Sequence, residues 1–304
     1  MSKLHVGVLL GASLAWGTAN AEVADLHEAP INVAVTFSVL GDLVKQVAGD
    51  DAHVSVLTPV NAEVHEWELT PDNFAALEEA DLVFYNGYQL EQWMRQVEAT
   101  VSDNVPIIAV AEASDYPTQS IITGEMEGDV DPHLWMDPRA AAAYVNVIAS
   151  SMGELLPHQA EAILERALSL EEQLHDLHIE LQETLEAIPD EHRLLLSSEA
   201  AFLYFADAYN FDHDGIWGTN AETEGSPRQL MRIIDIIEER QPPALFWEST
   251  ISDRHVTSIA RDTGVQVAGP LYVDSLSEST GEAADYFAML RHNAALLRHY
   301  LAAE

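Results

Sequence analysis

From Ile163 to Ile188 the chain carries apolar residues at 163, 167, 170, 174, 177, 181, 185 and 188, with no glycine or proline between them. Steps of three and four mark one face of an α-helix. Glutamates fill much of the remaining surface, so the stretch predicts one helix over 157–189, roughly 45 Å long at about 1.5 Å per residue. A rod of that length constrains everything around it. A coiled-coil dimer would use the same stripe, but a strut between two lobes of a monomer suits it better. His175 and His178 lie three apart on this helix. They read as a solvated flank, because no acidic or histidine partner is placed to close a site with them.

On either side of the strut, short β-branched runs alternate with helical patterns. Strands are expected over 31–37, 54–57, 81–85 and 106–110 before it, and over 193–197, 215–218, 244–247 and 265–268 after it. Helix starts are marked by a polar cap followed by proline at Thr70-Pro71, Asp137-Pro138 and Ser226-Pro227. Further helices are expected over 90–97, 200–209 and 281–301. Strand–helix alternation with short connections is the signature of parallel sheets. The expected architecture is two α/β lobes with parallel sheets, over 22–156 and 190–304, joined by one long backbone helix over 157–189.

The first 21 residues read as a secretory leader. Lys3 and His5 precede a short apolar run over 6–16, and Ala19-Asn20-Ala21 is a small-x-small cleavage site. No later run reaches the roughly 20 apolar residues of a membrane helix. Cysteine is absent, which excludes disulfides, thiol chemistry and a lipid-bearing cysteine. The mature protein is therefore expected free in the periplasm, without membrane insertion. Fifty-one acidic residues stand against 13 basic ones, a formal charge of −38. Such a surface repels nucleic acid and anionic lipid, so neither is expected as a partner. The acids are spread along the chain rather than gathered in a tail, which reads as adaptation to a saline milieu.

Chemistry concentrates in the loops that follow strands, where open α/β sheets place their ligands. In Asp131-Pro-His-Leu-Trp-Met-Asp-Pro138, two prolines and a helix cap hold His133 rigid. Similar loops supply His65, Glu199 and Asp274, so each lobe contributes two polar candidates. Two imidazoles and two carboxylates suit Mn²⁺ or Fe²⁺ and also accept Zn²⁺. Each residue has a plainer reading. His65 could be a loop histidine beside Trp67, Glu199 could serve a helix start, and Asp274 could cap a turn through Ser275.

Several segments occur together in a familiar order: the His65 segment ending Thr70-Pro71, Asn86-Gly87 with Glu91-Gln92-Trp93, and Asp131-Pro132-His133-Leu134-Trp135. Ala201-Phe202 with Tyr204-Phe205 and Tyr209, Glu224-Gly225-Ser226-Pro227, Phe246-Trp247-Glu248-Ser249 and Val273-Asp274-Ser275-Leu276 complete the set. With these motifs the chain, from about Ile31 to its C-terminus, resembles the metal-binding solute receptors of ATP-binding-cassette importers for manganese, zinc and iron. The resemblance implies one ion held between two lobes by His65, His133, Glu199 and Asp274, and delivery to an inner-membrane permease rather than catalysis. In that family a glutamate at the third position goes mostly with manganese or iron, and a histidine with zinc. Glu199, and the lack of a long His- and acid-rich loop between Tyr116 and Asp131, both lean to Mn²⁺. The rival is a metallohydrolase, which would keep a coordination position open and place a base beside it. Four protein ligands and the lack of a His-Glu-x-x-His pair count against it. A surface adhesin is a further alternative within reach of the resemblance.

Overall fold

A parallel strand covered on both faces must be apolar on both, and Val33-Ala34-Val35 meets that demand with every side chain buried. The computed structural model describes residues 29–219 and 225–302. The expected leader over 1–21 lies outside the described residues, as do Thr223 and Glu224. The first lobe runs β1 (Ile31–Val35), α1 (Ser38–Ala48), β2 (Ala52–Val56), α2 (Pro71–Glu78), β3 (Leu82–Tyr85), α3 (Met94–Thr100), β4 (Ile107–Ala109), α4 (Val110–Ala113) and α5 (Pro138–Leu155). Its strands form one parallel sheet in the order β2-β1-β3-β4.

The strut is α6 (Ala160–Leu185), 26 residues long, or about 39 Å. Beyond it come β5 (Leu194–Glu199), α7 (Leu203–Tyr209), β6 (Asp212–Trp217), α8 (Pro227–Arg240), β7 (Ala244–Glu248), α9 (Arg254–Thr263), β8 (Gln266–Leu271) and α10 (Tyr286–Leu301). Here β5 pairs with β6 and β7 with β8, both in parallel, and β5 lies alongside β7. This is the two-lobed parallel α/β architecture expected from the alternation.

Every apolar residue of the α6 stripe from Ile163 to Leu185 is buried. The helix packs on α1 and α5 of the first lobe and on α10 of the second. A single apolar core therefore runs from Val33 through Leu174 to Leu297, across both lobes. Smaller apolar clusters cover the outer face of each sheet, around Leu77 and Trp93 in one lobe and around Trp217 and Ile233 in the other. Packing of this kind couples the lobes far more firmly than a flexible linker would.

Several details depart from expectation. The helix expected over 90–97 begins only at Met94, because Tyr88 and Gln89 take positive φ angles of 48° and 62°. The helix expected from residue 200 begins at Leu203, since the Ala200 N–H is taken by Trp217 O at 3.0 Å. The last helix starts at Tyr286 rather than Gly281, where Asp285 accepts the Ala288 N–H at 2.7 Å as its cap. His178 is only half exposed, its Nδ1 lying 3.1 Å from the Tyr209 hydroxyl, so it is packed against α7 rather than free in solvent. Among the described residues, no helix is long and apolar enough to cross a membrane.

Candidate metal centre

His65 stands in the loop between β2 and α2, and Asn73 closes that loop from both ends. The Asn73 side chain accepts the Thr70 N–H and the Trp67 indole N–H, each at 3.0 Å, and donates to Leu57 O at 2.9 Å. The Thr70 hydroxyl in turn accepts the Asn73 N–H, completing a capping box at the start of α2. Closer to the histidine, Glu63 Oε1 accepts the His65 N–H at 3.0 Å, and the Trp93 indole donates to Val64 O at 2.7 Å. The imidazole is thus aimed by backbone anchors on both sides of it.

His133 is held by Asp131, whose Oδ1 lies 2.6 Å from the ring Nδ1 and also accepts the His133 N–H at 3.1 Å. A carboxylate there keeps the proton on Nδ1 and leaves Nε2 as the lone-pair donor. Asn86 donates to Pro132 O at 2.9 Å and is oriented by the Tyr144 hydroxyl at 2.7 Å. Glu91 secures that turn by accepting from Asn86 N, Gly87 N and the Thr36 hydroxyl. Asp137 caps α5 through the Arg139 N–H at 2.8 Å and accepts the Tyr116 hydroxyl at 2.8 Å. Asp131 and Asp137 therefore brace the loop.

Glu199 is the last residue of β5, paired in register with Trp217. The reading of Glu199 as a helix-start residue is thereby removed, for α7 begins four residues later. Gly215 on β6 lies so close that a side chain there would collide with the Ala200 backbone, and this lets the chain turn sharply after Glu199. Glu248, at the end of β7, accepts the Glu199 N–H at 3.3 Å. Asp274 follows β8, and Asn293 brackets Tyr272, two residues before it, by accepting the Tyr272 N–H at 2.9 Å and donating to Tyr272 O at 2.7 Å.

These four segments converge at the cleft. One donor atom from each of His65, His133, Glu199 and Asp274 lies within 4.8 Å of all the others, and all four residues are buried. His65 Nε2 is 3.5 Å from Glu199 Oε1 and 3.9 Å from Asp274 Oδ2; His133 Nε2 is 3.7 Å from Glu199 Oε1 and 3.5 Å from Asp274 Oδ1. Ligands about 2.1 Å from one ion in tetrahedral array sit about 3.4 Å apart, so the spacing is that of a coordination shell. Asp274 turns one oxygen to each histidine, a posture that also suits two-oxygen coordination. Both ring nitrogens of His65, and Nε2 of His133, are buried with no hydrogen-bond partner. Buried polar atoms left in that state are costly unless a ligand takes them up.

Electrostatics separate the two histidines. Burial lowers His65 to about 4, so its ring is neutral at neutral pH. Burial also disfavours charge on His133, but Asp131, Glu199 and Asp274 outweigh it and raise that ring well above its ordinary value. Burial, with Asp274 adding to it, raises Glu199 well above the usual carboxylate range against the pull of His133. Without an ion these surroundings favour the protonated forms of His133 and Glu199, and a dication would compete with those protons. Burial likewise brings Glu248 up to about 8 and Glu91 up to about 6. Glu63, Glu91, Glu248 and Asn293 were not singled out from the sequence as supports of the site. Glu248 entered only as part of a family motif, although it ends a strand just as Glu199 does.

Comparison with known proteins agrees with this geometry. Residues 33–300 match the profile of the family described as ZnuA, zinc-uptake complex component A, periplasmic. The manganese-binding lipoprotein MntA of Halalkalibacterium halodurans is 34% identical over 263 residues, 86% of either chain. The iron-binding protein YfeA of Yersinia pestis is 36% identical over 258 residues, covering 85% of this chain and 82% of that one. Among solved structures, the periplasmic zinc-binding protein TroA of Treponema pallidum superposes with a TM-score of 0.83 at 27% identity, over 90% of this chain and 100% of that one. A Mn-bound periplasmic metal-binding protein from Candidatus Liberibacter asiaticus gives 0.80 at 26% identity, over 88% and 98% of the two chains. By sequence along nearly its whole length and by fold, this chain belongs to the ZnuA family of metal-binding receptors for ATP-binding-cassette importers.

Proposed function

We propose that the protein captures a single divalent transition-metal ion outside the cytoplasm, with Mn²⁺ as its physiological cargo, and hands it to an ATP-binding-cassette permease. His65, His133, Glu199 and Asp274 are the proposed ligands, and the lobes over 22–156 and 190–304 close on the ion about the helix over 157–189. One observation carries the reading: four donors from four separate loops are buried together at coordination distance. Two neutral imidazoles and two carboxylates cancel the charge of a dication, so the loaded site buries no net charge. A third imidazole in place of Glu199 would leave the buried site cationic and softer. The carboxylate hardens it, which favours Mn²⁺ or Fe²⁺ relative to Zn²⁺.

Zn²⁺ still outranks Mn²⁺ in raw affinity at most nitrogen–oxygen sites, and both zinc- and iron-binding proteins are among the relatives. The cargo is therefore set by availability and by ease of release as well as by affinity. Competition calorimetry with Mn²⁺, Fe²⁺ and Zn²⁺ tests the reading. Micromolar or tighter Mn²⁺ binding at one site is expected, abolished by His65→Ala or Asp274→Ala in proteins that keep their circular dichroism. Tight Zn²⁺ binding with no Mn²⁺ binding would assign the protein to zinc, and unaltered affinity in both variants would discard the ligand set.

A further inference from the structure

Asp131, whose carboxylate holds the His133 ring, is itself fixed by a side chain of the other lobe. Ahead of it the chain doubles back on itself: Ser120 and Val130 form an antiparallel bridge, and the Asp131 N–H donates to Gln119 O at 2.9 Å. In a hydrogen-bonded antiparallel pair the reciprocal bond runs from the Gln119 N–H to Asp131 O. Tyr204 of α7 carries that bond instead. Its hydroxyl accepts the Gln119 N–H at 3.0 Å and donates to Asp131 O at 2.9 Å. One oxygen of the second lobe is thus spliced into a backbone pair of the first. It enters at the residue whose Oδ1 lies 2.6 Å from His133 Nδ1.

We propose that Tyr204 is a positioning residue for metal binding: by completing the Gln119–Asp131 pair it fixes Asp131, and through Asp131 the direction of His133 Nε2. The inference rests on the ligand set proposed above. Tyr204, Asp131 and His133 are all buried, so the bonds between them are shielded from competing water and gain strength. Burial also raises the Tyr204 phenol well above its ordinary value, so the hydroxyl keeps the proton it donates. The start of α7 is seated firmly in its own lobe. His213, on β6, accepts the Phe202 N–H on Nε2 at 3.1 Å, and its Nδ1 lies 2.8 Å from Leu195 O on β5. Glu199 ends β5, so the β5–α7 unit supplies one proposed ligand directly and braces a second across the cleft. A shift of that unit against the first lobe would loosen Glu199 and His133 together. On the far side of His133, the Tyr286 hydroxyl from α10 donates to Trp135 O at 2.6 Å. Hydroxyls from the second lobe therefore grip this loop on both flanks of the ligand.

The test is a double-mutant cycle of Tyr204→Phe with Asp131→Ala, read as Zn²⁺ affinity by competition calorimetry. Zn²⁺ is the probe because its higher affinity at such sites keeps weakened variants measurable. In the otherwise native protein Tyr204→Phe should weaken Zn²⁺ about three- to tenfold, the usual effect of one lost hydrogen bond. In the Asp131→Ala background the same change should weaken it by less than about twofold, because the route to His133 is already cut. An equal loss in both backgrounds would mean that Tyr204 acts through general stability, and would overturn the positioning role. Wild-type Zn²⁺ affinity in Tyr204→Phe, whatever its melting temperature, would overturn it as well. A second variant, Tyr204→4-aminophenylalanine, keeps the ring and a donor toward Asp131 O, so its affinity should stay within about threefold of wild type. A folded amino variant that bound Zn²⁺ weaker by about tenfold or more would show that the donor bond is not what matters. If the wild-type protein bound no metal ion, the proposed function itself would fall. Metal binding by the wild type with an unaffected Tyr204→Phe strikes only this inference.

Discussion

The smallest unit that explains the site is the pair Asp131–His133. Asp131 keeps a proton on Nδ1 and turns Nε2 to the cleft, so His133 is oriented before any ion arrives. Replacing it, Asp131→Asn, retains an acceptor but removes the charge that makes the ring a better donor. Affinity for Mn²⁺ is expected to fall about 10- to 100-fold, the usual cost of losing such a partner, with the fold unchanged by circular dichroism. Calorimetry checks this, and wild-type affinity would sink it. The same pair sets the pH response. A ring whose folded pKa is raised holds its proton to higher pH, and the ion must displace it. Binding should therefore weaken on acidification from above pH 6.5, by about tenfold per unit where one proton leaves per ion bound. His65, lowered to about 4, adds nothing to that slope near neutrality. Affinity that stays flat between pH 8 and pH 6 would contradict the assignment. Residues at this scale were legible where a local rule applied: prolines and a helix cap around His133, and strand-end loops for the other three. Glu63 and Asn293 escaped, because a side chain that supports another residue's backbone has no signature of its own in sequence.

Among the elements, α6 carries the stability that both lobes share. Leu174, Leu177 and Leu181 are buried between α1, α5 and α10, so a cavity there loosens contacts on either side. Leu177→Ala should cost about 2–5 kcal/mol, seen as a lower denaturant midpoint by chemical unfolding. The proposed ligands lie elsewhere, so Mn²⁺ stoichiometry should remain one per chain. A loss under about 1 kcal/mol would mean that the helix is solvated rather than a shared core. The helix was visible in advance because eight apolar residues keep a helical period with no breaker. Its neighbours were less so. The delayed starts at Met94 and Leu203 arise from a backbone partner distant in sequence, Trp217 O for the Ala200 N–H, or from a turn whose positive φ angles fall on Tyr88 and Gln89. Neither residue type announces a left-handed conformation, which glycine or asparagine would have done.

For the whole molecule the governing quantity is a charge of −38 on 304 residues. Compact folding brings those acids together, and their repulsion is screened as the Debye length shrinks from about 10 Å at 0.1 M salt to about 3 Å at 1 M. The apoprotein should melt at a higher temperature as KCl rises across that range, and the Mn²⁺ association rate should fall as long-range attraction is screened. Thermal unfolding and stopped-flow mixing measure the two, and a melting temperature indifferent to salt would remove the saline-habitat reading. What this sequence determined by itself was the class of fold, the strut and the four chemically apt side chains. Those depend on local periods, caps and residue chemistry that the chain carries wherever it goes. The tertiary structure alone decided that the four donors meet at coordination distance, that Glu248 stands behind Glu199, and that the Asp274 segment is tied to the opposite lobe. Those outcomes depend on contacts between residues up to 238 positions apart, as from Ser38 to Leu276. The physical reason is that such pairings are selected by packing across the shared core, and no local pattern encodes which distant partner a loop will find.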